Sequence, residues 1–417
     1  MGIAAIALGV GCGPEPPLPG RVLIVGIDGA THRVIQELSK RGRVPALTGL
    51  ARGGGSGPLR SHFPLWSPRI WNSIATGKTP QNHGILGFVR DRSLYLSSDR
   101  KTHALWNIVS DAGLRVAVVN WWNSYPPEKI HGIMVSDHVL PGVAHDRRRA
   151  HKADPKQEVA PVVWPAEWQQ RAIATATGGA VPVDVTNPFV DNDALPHWVV
   201  TEKLEQVFVE DGRIAKLALE IEAETKPDVL MVFLPGIDRV SHWLWGNLEP
   251  SLRYPERLRP SSNERFAGTA ALHDYYVYTD ALIAALIAPF GPEDLVLVVS
   301  DHGFEAGVLF DRLTGIHESK RAVNGVVFAR GPGFEPRSHI RASDGPMSVN
   351  DVTPSVLSWL GLPIGDDMDG RPIPAAVRVA LRSVATHDVT PVERVATHAS
   401  GAEEEMLEQL RGLGYIE

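Results

Sequence analysis

Near-continuous runs of Val, Ile and Leu recur along the chain. They lie at Arg21–Ile27, Arg115–Trp122, Asp228–Leu234, Asp294–Ser300 and Gly325–Arg330. Unbroken apolar runs of this length predict strands buried on both faces, the pattern of a mostly parallel sheet, rather than the alternation of a half-solvated one. Apolar positions at helical spacing lie between them. Ile70, Trp71, Ile74 and Ala75 predict a helix with Ser67 as its N-cap, Pro68 in its first position and Gly77 as its stop. A long amphipathic helix is expected near Phe266–Ile287, and a short one within Glu403–Tyr415. The fold class is therefore α/β, a central mostly parallel sheet flanked by helices.

Polar residues stand where the strands end. Asp28 follows the first run, Asp238 follows the third, and Asp301-His302 follow the fourth. Open α/β sheets bind ligands at the carboxyl ends of their strands, so these acids share one rim. His242 lies four residues after Asp238, which puts both on one face if a helix starts there. His317 precedes the Gly325 strand and adds another imidazole. Carboxylates with imidazoles suit zinc, manganese or iron better than calcium or magnesium. Three of each are too many for one ion. They divide into Asp28, Asp301 and His302, and Asp238, His242 and His317, a pair of sites of the kind that clamps the attacking and leaving oxygens of a phosphoryl centre. Ser67 at a helix start, where N–H groups and the helix dipole favour an anion, is the candidate nucleophile.

Each feature has a structural alternative. A serine before proline is usually only a cap, and Asp-His or Asp-x-x-x-His alone is weak. The combination carries more weight, because charged residues are seldom set beside buried strands without partners. Gly53–Gly57 has no Lys-Ser/Thr partner and reads as a turn. Trp121 and Trp122 read as packing, and His83 as a cap or loop histidine.

In order along the chain, Val25-Gly-Ile-Asp28-Gly, Ser67-Pro-Arg-Ile-Trp-Asn-Ser-Ile-Ala-Thr-Gly-Lys-Thr-Pro-Gln-Asn-His-Gly84, Leu234-Pro-Gly-Ile-Asp238-Arg-Val-Ser-His242, Val299-Ser-Asp301-His302-Gly, Gly315-Ile-His317 and Asp351–Pro363 resemble the alkaline phosphatase superfamily. Within it they are similar to the type I phosphodiesterase/nucleotide pyrophosphatase-like proteins. The resemblance implies an alkaline-phosphatase-like core, two divalent ions, zinc first and manganese or iron as alternatives, and a phosphoserine intermediate on Ser67. It implies Asp28, Ser67, Asp301 and His302 around one ion and Asp238, His242 and His317 around the other. Two departures stand out. Nucleotide pyrophosphatases carry His-Gly-Ile-x-x-Asn, whereas His83-Gly-Ile-Leu-Gly-Phe88 places Phe88 there, which argues against a nucleotide substrate. Sulfatases use a Cys/Ser-x-Pro-x-Arg frame, whereas Ser67 directly precedes Pro68, so sulfatase activity is not expected.

The expected activity is cleavage of phosphodiesters or phosphomonoesters in a small phosphorylated substrate. A phosphomutase or phosphonate-cleaving enzyme on the same scaffold is the alternative, and a non-catalytic metal-retaining envelope protein is the alternative of another class. Phe88, Trp243 and Arg69 are the candidate substrate contacts. With 43% hydrophobic and 21% charged residues in 417, usage is that of a globular enzyme, and a net charge of −7 gives no footprint for nucleic acid. The single cysteine, Cys12, follows an apolar leader and precedes a proline-rich tether. It reads either as a lipidation site, placing the protein in a bacterial envelope or periplasm, or as a chance residue in a leader of a cytoplasmic protein. The expected organisation is a leader and tether over 1–20 and a catalytic domain over 21–375. Cap insertions are expected near 123–200 and 246–264, and a tail over 376–417.

Overall fold

A computed structural model describes residues 20–140, 160–178, 181–190, 192–249, 254–309, 311–396 and 402–416. Cys12 and the leader lie outside these residues. The apolar runs become the strands Val22–Ile27, Val116–Val119, Val229–Leu234, Leu295–Val299 and Asn324–Arg330. The central sheet runs, from one edge to the other, through Ser338–His339, Gly55–Arg60, Asn324–Arg330, Leu295–Val299, Val22–Ile27, Val229–Leu234, Val116–Val119, Gly132–Val135 and Val163–Trp164. Its middle is parallel, Asn324–Arg330 opposes both its neighbours, Val163–Trp164 opposes Gly132–Val135, and the other edge strand, Ser338–His339, runs parallel to Gly55–Arg60.

Side-chain alternation explains the apolar runs. Leu23, Val25 and Ile27 enter one core cluster and Val22 and Ile24 the other, so each strand supplies both layers. The long helices Glu205–Thr225 and Ser262–Ile287 cover the first layer, and Ser67–Thr76 with Val352–Leu360 cover the second. Ser262–Ile287 starts with a capping box, Ser261 Oγ accepting from Glu264 N at 3.2 Å while Ser261 N donates to Glu264 Oε2 at 2.8 Å.

Three expectations change. Gly55–Arg60 is a strand, although Gly53–Gly57 reads as a turn. A Cβ on Gly57 would lie 2.4 Å from the Ile340 carbonyl oxygen, so the glycines here permit a close backbone approach. Gly132–Val135 and Val163–Trp164, inside the stretch expected to form a cap, lengthen the sheet instead, because Ile133, Met134 and Val135 are buried and pair in register with Val116–Val119. Ser67 is the first residue of its helix, not its cap; Trp66 takes the N-cap position and no side chain caps it. No helix among the described residues is long and apolar enough to cross a membrane.

Candidate active site

The parallel strands end level with one another. Ile27 pairs with Leu234 and Gly26 with Val299, so the residues just beyond them emerge on one rim. Asp28 follows directly. Asp238 and His242 face that rim from the helix Gly236–Leu248, one turn apart. His317 follows a hairpin, Glu305–Leu309 with Arg312–Ile316, that lies on the same helix. That contact requires Gly315, where a Cβ would stand 2.3 Å from the Ser241 carbonyl oxygen. The approach lets Gly315 O accept a bond from His242 Nδ1 at 3.1 Å, which leaves Nε2 as a lone-pair donor toward the rim. His302 is set the same way, Nδ1 bonding Gly303 O at 3.1 Å.

These side chains converge. Asp238 Oδ1 lies 3.5 Å from His242 Nε2 and 3.9 Å from both His317 Nε2 and His302 Nε2. His302 Nε2 lies 3.5 Å from Asp28 Oδ1 and 3.3 Å from Asp301 Oδ2. The His302 and His317 rings stack at 4.0 Å. Ser67, buried, donates from Oγ to Asp28 Oδ1 at 3.4 Å. Asp301 Oδ1 accepts from Gly29 N at 3.2 Å. Two overlapping donor sets fit a metal ion: Asp238, His242 and His317, and Asp28, Asp238 and His302. Asp238 belongs to both, and Asp301 adjoins the second through His302.

The electrostatics suit a cation at this cluster. Asp301 Oδ2 and His302 Nε2 are both buried and neither has a hydrogen-bond partner, although they face each other. With Nδ1 carrying the proton, both are lone-pair donors, a juxtaposition that costs free energy in a dry interior and that a cation between them would relieve. Burial, followed by the charges of Asp301 and Asp238, raises the Asp28 carboxyl well above its ordinary range. Burial also raises Asp301, against the pull of His302. Burial and the two neighbouring imidazoles, His302 first, push His317 well below the ordinary histidine value. Three carboxylates in one enclosed space thus repel one another, and divalent ions would relieve that repulsion.

Against this geometry, a family model described as type I phosphodiesterase / nucleotide pyrophosphatase matches residues 22–345. The chain belongs to this family. It is a hydrolase of the alkaline phosphatase superfamily. Family members are generally metal-dependent, consistent with the buried Asp/His cluster. Among solved structures, a 2-O GAG sulfatase is similar over 88% of this chain and 76% of its own, at 12% identity and a TM-score of 0.54. A putative sulfatase from Bacteroides thetaiotaomicron has the same coverage and identity at 0.53. These likenesses establish the alkaline-phosphatase-like fold. Human ectonucleotide pyrophosphatase / phosphodiesterase 5 matches 84% of this chain and 97% of its own, at 13% identity and 0.49. No curated protein sequence matches the chain.

The substrate candidates separate. Phe88 lines the cavity that contains Ser67 and Asp28, beside Trp122 at a centroid distance of 5.8 Å. Trp243 instead meets Trp198 edge to face at 5.5 Å and is not among the cavity's lining residues. Arg69 also lies off that lining. It neighbours His62 and His83; burial, and secondarily the Arg69 charge, lowers His62 to about 4. His83 is structural, its Nε2 within 3.0 Å of Ser73 Oγ and 3.1 Å of Arg69 O.

Sequence reasoning missed most of this cavity's lining, Trp122 included, which reads as packing; three further residues matter for its chemistry. Asn120, just past Val116–Val119 and at φ +63°, lines it and donates to Phe233 O at 3.1 Å. Arg239 lines it and is held by Glu210 at 2.5 Å. Tyr415 reaches in from the far end of the chain, its hydroxyl 2.6 Å from His242 Nε2 and 2.7 Å from His317 Nε2. Asn120 could have been found by the same strand-end rule that located Asp28. Nothing in the local pattern around Tyr415 signals its destination.

Proposed function

We propose that this chain is a phosphodiesterase working through a phosphoserine on Ser67 beside a two-ion site, zinc being the first expectation. The observation that carries the reading is Ser67 Oγ donating to Asp28 Oδ1 at 3.4 Å within a buried cluster whose two donor sets share Asp238. Asp28 and Asp238 with His302 would hold one ion, with Asp301 beside it, and Asp238, His242 and His317 the other. Such ions, when bound, supply Lewis-acid stabilisation of the charge that develops on the phosphoryl, serine and leaving oxygens.

The remaining chemistry falls to the protein. Asp28 orients the Ser67 hydroxyl and is the nearest acceptor for its proton. Ser67 Oγ forms a bond to phosphorus as the opposite ester P–O bond breaks, and the leaving oxygen departs with a proton from solvent. Water then attacks the phosphoserine, the Oγ–P bond breaks, and Ser67 regains a proton. Phe88, Trp122 and Phe233 give the cavity an apolar wall, and Arg239 is neutralised by Glu210, so a singly charged ester carrying an apolar arm suits it better than a dianion. The test is trapping: after an acid quench during turnover of a diester, the Ser67 peptide should carry the retained phosphoryl half by mass spectrometry. An unmodified Ser67 peptide under conditions that trap other phosphoserines would refute the covalent route.

A further inference from the structure

The helix Ala402–Gly412 buries Ala402, Met406 and Leu410, one stripe at a spacing of four, against Phe88 and Leu94. Its end is closed by Tyr415 N bonding Leu410 O at 2.9 Å and Gly414 N bonding Arg411 O at 3.1 Å, with Gly414 at φ +80°. This six-to-one and five-to-two closure reverses the chain and aims Tyr415 into the cavity. The Tyr415 ring lies 4.4 Å from Phe88 at an interplanar angle of 32°. Its hydroxyl meets His242 Nε2 at 2.6 Å, His317 Nε2 at 2.7 Å, and the Asp238 oxygens at 3.4 and 3.3 Å.

One phenolic hydrogen cannot satisfy two imidazole nitrogens and two carboxylate oxygens. The hydroxyl is therefore lodged on the donor set itself, with its ring on the aromatic wall of the cavity. We propose that residues 402–416 are a cis-acting inhibitor whose Tyr415 fills the cavity at these donors. The site then binds ligand only when the segment withdraws. This rests on the reading of the cluster as the hydrolytic site, but its test does not depend on turnover.

The probe is inorganic phosphate, titrated calorimetrically into the full-length, metal-loaded protein, with amide exchange of the 402–416 segment followed alongside. Leu410→Asp unseats the helix without touching a metal donor, Tyr415→Ala removes the ring and its oxygen, and Tyr415→Phe removes the oxygen alone. Leu410→Asp and Tyr415→Ala should each bind phosphate about tenfold more tightly than the parent, the factor by which a site open about one-tenth of the time weakens apparent affinity. Tyr415→Phe should recover part of that gain, and saturating phosphate should accelerate exchange in 402–416 of the parent. Equal or weaker phosphate affinity in Leu410→Asp and Tyr415→Ala, or exchange unchanged by phosphate, overturns the proposal. The gain in affinity together with no cleavage of any phosphodiester would uphold the inhibitor and refute the diesterase reading, so the two fail separately.

Discussion

Ser67 Oγ stands 3.4 Å from Asp28 Oδ1 although the residues belong to different elements, one beginning a helix and one ending a strand. The pairing follows from the sheet: Val22–Ile27 sits at its centre, and the helix after Gly55–Arg60 returns across the carboxyl ends. Ser67 does no capping, so its hydroxyl is not needed to start its helix. The serine is then free for chemistry.

Replacing Ser67 with Ala should therefore leave the fold and the ions in place and lower kcat by about a thousandfold or more, the pattern expected when an interaction made in the transition state is lost. Thermal unfolding and elemental analysis of the same preparation check the first half, and steady-state hydrolysis the second. A variant that keeps near-parental kcat would return Ser67 to a structural role.

Asp238 sits in both donor sets, whereas His242 belongs to one. His242→Ala should cost one of two bound divalent ions, and Asp238→Ala should cost both, with activity falling in each. Inductively coupled plasma measurement on protein purified without chelator reads the stoichiometry directly. A fully active protein free of metal would contradict the whole arrangement.

The core of this site was legible because buried strands are readable as apolar runs and the residue after each run inherits a place on the rim. Asp28, Asp301 and His302 follow from that rule directly, Asp238 from the helix that opens two residues past its strand, and His242 from helical spacing. Gly55–Arg60 was not legible, since a strand built on glycines packs backbone rather than side chains and carries no hydrophobic signature. The strand Gly132–Val135, next to the sheet edge, was obscured by the prolines and tryptophans around it. Tyr415 could not be placed because its position depends on a helix docking far from its neighbours in sequence, on Phe88 and Leu94. Trp243, a candidate substrate contact, departs for the opposite reason: adjacency to His242 in sequence rotates it about the helix, onto Trp198.

The acid Asp211 gives the fold a pH dependence separate from the metal donors. It is buried on the helix Glu205–Thr225, accepts from Tyr275 Oη at 2.9 Å, and leaves Oδ1 without a partner. Burial pushes its carboxyl up to about 7, against the pull of Tyr275 and Arg239. The folded state thus binds a proton that the unfolded state has already released, so this group's contribution to stability is full at low pH and is lost as pH rises toward about 7. The loss has a limiting slope of about 1.4 kcal/mol per pH unit. Asp211→Asn keeps an oxygen for Tyr275 and removes the proton, so denaturant unfolding across that range should show a flatter slope in the variant. An unchanged slope would mean Asp211 is ionised in the fold.

Substrate preference is the sharpest consequence of the cavity wall. Phe88 stands where nucleotide pyrophosphatases place an asparagine, and it packs between Trp122 at 5.8 Å and the Tyr415 ring at 4.4 Å. The one cation among the cavity's lining residues, Arg239, is committed to Glu210 at 2.5 Å. Beyond the bound ions, a dianionic monoester would find no uncommitted cationic side chain in the lining, whereas a diester brings one charge and an apolar arm. Bis(p-nitrophenyl) phosphate should therefore be cleaved with a higher kcat/KM than p-nitrophenyl phosphate, by about tenfold if the difference is worth about 1.4 kcal/mol. Phe88→Asn should narrow that ratio by restoring a polar contact and loosening the aromatic wall. The comparison requires both substrates on one metal-loaded preparation, with Tyr415→Ala run beside the parent so that occlusion by the segment is not mistaken for discrimination. A monoester preference in both proteins would move the activity to phosphatase chemistry and assign the unused charge on Arg239 to the substrate rather than to Glu210.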